Sequence, residues 1–194
     1  EEGLKLLAKA REETGLPIVT ELLSQDQAGL VAEYADMLQI GTRNAQNFQL
    51  IIAAAKTGKP VLLKRGMSMR ITEWLLAGEY VLANRNPNLL FCERGIRTFE
   101  DYTRNTLDLS AVAIVKTESH CPIVVDPSQG CGKASLVCSM CRGAVAMGAD
   151  ALLIEVHPNP TEAISDAAQQ IDLEGFAALM DELRPIAESA GREL

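Results

Sequence analysis

A short apolar run that stops abruptly in charged or polar residues occurs six times in this chain, and that pattern leaves little room for anything but a parallel α/β fold. Leu89, Leu90 and Phe91 lead into Cys92, Glu93, Arg94 and Gly95, as a strand buried on both faces does where it meets solvent. The same form appears at residues 17–22, 37–43, 60–66, 122–128 and 151–157. Segments with helical periodicity lie between these runs, at 47–57, 71–83, 135–148 and 174–190. Strand and helix thus alternate at a repeat of roughly thirty residues, as in βα units. The expected fold is α/β, with six parallel strands that carry polar chemistry at their C-terminal ends.

The length of 194 residues suits one domain, and no Gly/Ser linker or low-complexity repeat divides it. Hydrophobic residues make up 47% but aromatics only 4%, so aliphatic side chains must fill the core, as in helices packed on a parallel sheet. A formal charge of −8 argues against nonspecific nucleic-acid binding, which needs an excess of Lys and Arg. No apolar run approaches the roughly 20 residues of a membrane span, and the N-terminus lacks the order of a signal peptide. The expected location is the cytoplasm. An odd count of five cysteines, Cys92, Cys121, Cys131, Cys138 and Cys141, agrees with reduced thiols. Cys138 and Cys141 form a CxxC, but it lies in a helical pattern without a second CxxC, so they are read as small buried helix residues.

Residue 1 is Glu, and residues 1–13 read as an amphipathic helix with Leu4, Leu6, Leu7 and Ala10 on its apolar side. Gly15 caps that helix and Pro17 opens the first visible strand. A βα chain rarely starts on a helix, so a fragment is expected. Residues 24–36 read as the next helix, with Leu30, Val31 and Tyr34 facing inward. Trp74 is read as a packing residue between helix and sheet.

Cations gather at equivalent positions: Arg43 after the second strand, Lys64 and Arg65 after the third, Arg94 after the fourth. In a parallel barrel these ends surround one opening, where sites are found. Gly41 permits close backbone approach, and Arg43 precedes a helix N-terminus, which suggests a phosphate seat. Residues 103–110 are unusually polar, and Arg104 and Asp108 have the spacing of a helical ion pair. Glu155 and Asp166 are candidates for holding a divalent metal through hard oxygen donors. The two histidines, His120 and His157, form neither a helical HxxxH nor a Ser/His/Asp order.

Several strings together resemble the type I, β-subfamily 3-deoxy-D-arabino-heptulosonate 7-phosphate (DAHP) synthases. They are Gly-Thr-Arg-Asn-Ala-Gln-Asn at 41–47, Lys-Arg-Gly-Met at 64–67, and Cys-Glu-Arg-Gly-Ile-Arg-Thr-Phe-Glu at 92–100. Thr-Arg-Asn-Thr-Leu-Asp-Leu-Ser-Ala-Val at 103–112, Asp-Pro-Ser at 126–128, Glu-Val-His-Pro at 155–158 and Ser-Asp at 165–166 follow in family order. The resemblance implies a (β/α)8 TIM barrel with about six of its βα units present and the first two missing. It implies a synthase that condenses phosphoenolpyruvate with erythrose 4-phosphate and releases phosphate, the first step of the shikimate route.

By matching position, the resemblance places Arg43 and Arg94 on the phosphate of phosphoenolpyruvate and Lys64 at its carboxylate and reacting end. Glu21 and Asp126 join them as substrate-binding positions. Glu155 and Asp166 become ligands of a divalent metal such as Mn²⁺. One departure stands out: Gln129 occupies the position where the family has a metal-binding His. A neutral amide oxygen binds transition metals more weakly than imidazole, so weakened or altered metal use is expected. The family's metal-binding Cys lies on the first strand, so none of the five cysteines here corresponds to it. The alternatives are the sibling synthase that uses arabinose 5-phosphate, and a non-catalytic homologue that binds phosphoenolpyruvate. Two missing strands would leave unpaired edges, and a homo-oligomer is expected.

Overall fold

The structure is a computed structural model that describes residues 1–193. Strands follow one another in the sheet in sequence order, from β1 to β6, and the paired strands are parallel. The α/β class expected from the sequence is the class observed. The chain divides into two compact units, Glu1–Phe91 and the part from Cys92 onward.

In the first unit, β1 (Val19–Glu21), β2 (Met37–Ile40) and β3 (Val61–Lys64) pair in parallel, with Val19 opposite Met37 and Leu38 opposite Val61. All four residues of β3 are buried, as a strand covered on both faces requires. Helices α1 (Glu2–Thr14), α2 (Ala28–Tyr34), α3 (Phe48–Lys56) and α4 (Ile71–Ala83) alternate with the strands. The α4 N-terminus is fixed by the Arg70 backbone N–H donating to Glu73 Oε2 at 2.8 Å. Trp74, fully buried, donates from Nε1 to Leu63 O at 3.1 Å and meets Phe91 edge-on at 5.0 Å. This bond and ring contact tie α4 to β3 and to β4 (Leu89–Glu93), as expected of a packing residue.

The second unit holds the end of β4, then α5 (Ser110–Glu118), β5 (Ile123–Val125), α6 (Pro127–Cys131), α7 (Ala134–Ala146), β6 (Ala151–Leu152) and α8 (Leu173–Ser189). Val124 lies opposite Ala151 in the β5–β6 pair. Val137, Cys141 and Val145 of α7 pack with Leu179, Leu183 and Ala187 of α8 in one apolar cluster. Burial pushes the Cys141 thiol up to about 12, so it is an inert core residue rather than a reactive thiol. All five cysteines are free. Among the described residues, no helix is long and apolar enough to cross a membrane.

Asp150 joins several elements of this unit. It accepts from the Ile123 backbone N–H at 2.9 Å and from Lys116 Nζ at 3.0 Å, and pairs with Arg192 at 2.6 Å. Burial raises its pKa, but these three partners outweigh burial and the carboxyl ends below its ordinary value. A depressed folded-state pKa contributes stability that is present above the unfolded value and lost as pH falls through the folded one. Asp150→Asn should therefore cost about 1 kcal/mol at neutral pH, since the ion pairs are partly solvated. The difference from wild type should shrink as pH drops below about 4, the ordinary carboxylate range. Urea unfolding at pH 7 and pH 3 measures both; an equal cost at both pH values would contradict the account.

Several expectations are corrected. The helix expected at 1–13 is present as α1, with none of its residues fully buried and Leu6 68% exposed. Leu4 and Leu7 are half-buried beside Leu30 and Val31 of α2, whereas Leu6 and Ala10 stay exposed. The helix expected at 24–36 opens with a 3₁₀ turn, Gln25–Gln27, before α2. Of the residues expected to face inward, Val31 is buried and Tyr34 half-buried, whereas Leu30 is 37% exposed. The strand expected at 151–157 is reduced to Ala151–Leu152. Its partner β5 ends at Val125, and Pro127, which has no N–H, opens the five-residue α6 just beyond.

Candidate active site

In the first unit the chain leaves β1, β2 and β3 at the same end of the parallel sheet, because the strands run in register. Glu21, Gly41 to Arg43, and Lys64 with Arg65 stand at that end. The Glu21 carboxylate lies directly over Gly41, where an added Cβ would come within 1.9 Å of its Oε1 and push the carboxylate aside. Arg43 is exposed on the 3₁₀ turn Thr42–Asn44. The helix behind it does not begin until Phe48, and its N-terminus is occupied by Asn47, whose Oδ1 accepts from the Leu50 N–H at 3.3 Å. Arg43 is thus set a turn away from that helix N-terminus, and Asn47 takes one of its free N–H groups. Lys64 is buried at the end of β3. Arg65 serves structure, with Nε donating to Met69 O at 3.0 Å and the guanidinium 5.9 Å from the Trp74 ring centre.

In the second unit, Glu93 at the end of β4 is completely buried, and its Oε1 accepts from the Gly95 N–H at 2.7 Å. That bond turns the chain sharply at Gly95, φ +89°, where a side chain would strike Asn105 and Gly130. The following loop returns so that Asn105 Nδ2 donates to Gln129 O at 3.0 Å. Asp126 is buried and caps α6, accepting from the Gln129 N–H at 2.9 Å. Ser128 Oγ accepts from the Glu155 N–H at 3.0 Å. These contacts fix where Gln129 and Glu155 point.

Their side chains meet in a ring. Gln129 Nε2 donates to Glu155 Oε1 at 2.6 Å and to Asp166 Oδ2 at 3.0 Å. Gln169 Nε2 donates to the same Glu155 oxygen at 2.9 Å. Arg104 closes the circuit, donating to Gln169 Oε1 at 3.0 Å and to Asp166 Oδ1 at 2.8 Å. Outside the ring, Arg94 donates to Gln129 Oε1 at 3.1 Å. Asp166 sits in the left-handed region, φ 52°, which Asp tolerates better than most residues.

The two carboxyls titrate apart. Burial raises Glu155, against the bonds from Gln129 and Gln169, while the negative charges of Asp166 and Asp126 add to the rise. For Asp166 burial also acts upward, but Gln129 and the Arg104 guanidinium outweigh it and lower the pKa. Burial lowers the pKa of Arg94, opposed by Asp126, and an arginine so placed still keeps its charge.

The structure thus brings Arg94, Asp126, Gln129, Glu155 and Asp166 into one neighbourhood of the second unit. Arg104 does not pair with Asp108 as a helical neighbour; residues 103–109 are not helical, and Arg104 reaches Asp166 and Gln169 instead. Gln169, 2% exposed, and Asn105 were not singled out from sequence. His157 Nδ1 accepts from the Asn159 N–H at 3.0 Å and so fixes a turn. Among the described residues, no group of three or more His, Cys, Asp or Glu could hold a metal ion. Glu155 and Asp166 nonetheless present oxygens to a single point, marked by Gln129 Nε2, and a hard divalent cation suits such a pair. Gln129 fits as a third ligand only with its amide turned over.

Comparison with known proteins places these features in context. The profile of the DAHP synthetase I family matches residues 1–189. A phospho-2-dehydro-3-deoxyheptonate aldolase of Thermotoga maritima is 50% identical over 191 residues, covering 98% of this chain and 56% of that protein. A 2-dehydro-3-deoxyphosphooctonate aldolase of Syntrophotalea carbinolica is 33% identical over 197 residues, covering 96% of this chain and 70% of its own length. The crystal structure of the Thermotoga maritima DAHP synthase matches with a TM-score of 0.97 at 49% identity, over 99% of this chain and 57% of that one. A truncated form of the Thermotoga synthase matches at 0.96, with 99% of this chain and 73% of its own covered. The chain spans a little over half the length of the Thermotoga aldolase. Its fold class is the (β/α)8 barrel, with six strands present.

Proposed function

We propose that this chain, which belongs to the DAHP synthetase I family, comprises six of the eight βα units of a catalytic barrel that makes 3-deoxy-7-phosphoheptulonate. The observation that carries this reading is the hydrogen-bonded neighbourhood of Arg94, Gln129, Glu155 and Asp166, four residues the family pattern assigns to one site. In the proposed reaction, C3 of phosphoenolpyruvate attacks the aldehyde carbon of erythrose 4-phosphate and forms the new carbon–carbon bond. Water adds at C2, the bond from C2 to the phosphate oxygen breaks, and inorganic phosphate leaves. Arg43 and Arg94 hold the phosphate of phosphoenolpyruvate through charge-assisted hydrogen bonds. Lys64 is the catalytic cation at the carboxylate and reacting end, and Glu21 and Asp126 complete the substrate-binding set. When bound by Glu155 and Asp166, a divalent metal would supply Lewis-acid polarisation of the aldehyde, with affinity weakened by Gln129 in the usual His position.

The relatives bear on the sugar. Heptonate and octonate products differ by one carbon, so with three carbons from phosphoenolpyruvate the partner aldehyde has four or five. Identity of 50% to the heptonate relative against 33% to the octonate relative favours the four-carbon aldehyde, erythrose 4-phosphate. Free cysteines support a reducing, cytoplasmic setting. Phosphate release measured with phosphoenolpyruvate and each sugar tests the proposal. Turnover with erythrose 4-phosphate is expected; turnover with arabinose 5-phosphate alone would overturn the sugar assignment. Binding of phosphoenolpyruvate by calorimetry without phosphate release from either sugar would identify a non-catalytic homologue.

A further inference from the structure

Gln129 faces its neighbours with a definite polarity. Its oxygen takes the Arg94 guanidinium at 3.1 Å, and its amino group serves Glu155 at 2.6 Å and Asp166 at 3.0 Å. The reverse orientation would aim the oxygen at two carboxylates and the amino group at a cation, turning three attractions into three repulsions. Yet an amide ligates a metal only through its oxygen, which here points to Arg94. The amino nitrogen, meanwhile, lies within hydrogen-bond distance of both carboxylates that a divalent ion would use.

We propose that Gln129 is a bridge in place of a metal ligand: its amino group holds Glu155 and Asp166 together without an ion, and a divalent cation must displace that amide to bind. This rests on the reading of Glu155 and Asp166 as the metal-binding pair. The rest of the ring supports such an exchange. Arg104 holds the other oxygen of Asp166, Oδ1, while Gln169 grips Glu155 from its own side, so the pair stays positioned from outside whether amide or ion lies between. The amide bridge thus competes with a cation for the same two carboxylates, which makes the site a poor metal binder.

A bridge and a weak ligand differ in sign when Gln129 is removed. Losing a ligand weakens metal binding, whereas losing a competitor strengthens it. Mn²⁺ titration of the protein without substrates, followed by electron paramagnetic resonance of the free ion, reads this directly. Gln129→Ala and Gln129→Leu should each bind Mn²⁺ about tenfold more tightly than wild type. In chelator, the same variants should melt about 3–6 °C lower, because the two carboxylates lose their shared donor. Using two variants guards against one of them failing to fold. Gln129→His, which restores an imidazole ligand, serves as the control. If Gln129→His binds Mn²⁺ while the Ala and Leu variants bind it no better than wild type, the bridge is overturned and the metal pair stands. If no variant binds Mn²⁺, Gln129→His included, the metal pair itself is overturned and the bridge proposal with it.

Discussion

Arg94→Ala should lower kcat/KM for phosphoenolpyruvate by about a thousandfold, the equivalent of roughly 4 kcal/mol of lost stabilisation. Only 5% of Arg94 is exposed, and its guanidinium is held by Gln129 Oε1 at 3.1 Å and attracted by the Asp126 charge. A buried, pre-positioned guanidinium binds a phosphate with little further ordering, which is why its loss should exceed that of a solvated arginine. The substitution also leaves the Gln129 oxygen without its donor. Arg94→Lys keeps the charge but not the planar fork, and should recover only part of the loss. Steady-state phosphate release, with circular dichroism to confirm the fold, measures both variants. An Arg94→Ala protein within tenfold of wild type would remove this arginine from the phosphate site.

The largest loss of stability is expected at Trp74. Trp74→Ala deletes a fully buried indole, its bond to Leu63 O and its edge contact with Phe91, and should cost about 4 kcal/mol. Arg65 would lose the ring beside its guanidinium as well. Trp74→Phe keeps an aromatic ring but loses the bond to the Leu63 carbonyl, and should cost less than the alanine variant. Urea denaturation separates the cases through the midpoint at constant slope. A cost below 1 kcal/mol for Trp74→Ala would mean that α4 is held to the sheet by something other than this residue.

Sequence pattern reveals elements whose stability is local or periodic. Residues 71–83 were read as a helix from their apolar spacing, and α4 occupies that span. The apolar run Val61 to Leu63 of β3, ending in Lys64, is equally plain. α6 was not visible, because five residues opened by Asp126 and Pro127 carry too little period to distinguish a helical turn from a loop. Glu155 and Asp166 could be nominated as a pair from residue type, and the family pattern added Gln129. Arg104 and Gln169 could not be placed by either route, since their partners lie 62 and 65 residues apart and no short spacing records such a contact. The stripe of α1 is buried only in part, Leu4 and Leu7 but not Leu6: an amphipathic period states what a helix could bury, not how much of it is covered.

The hydrogen-bonded ring also bears on the order in which the second unit assembles. Pairing of β5 with β6 joins residues 27 apart, Val124 to Ala151, and the helices need only their own turns. Joining Arg104 to Asp166 must close a loop more than twice as long, at an entropic cost that polar contacts among partly solvated groups repay only once the surrounding elements are in place. The ring is therefore expected to form after the rate-limiting barrier to folding, which unfolding and refolding rates of Gln169→Ala would test. Contacts made that late have little influence on how fast a chain folds and govern how slowly it comes apart. The polar residues assigned to chemistry would thus also lengthen the lifetime of the native state.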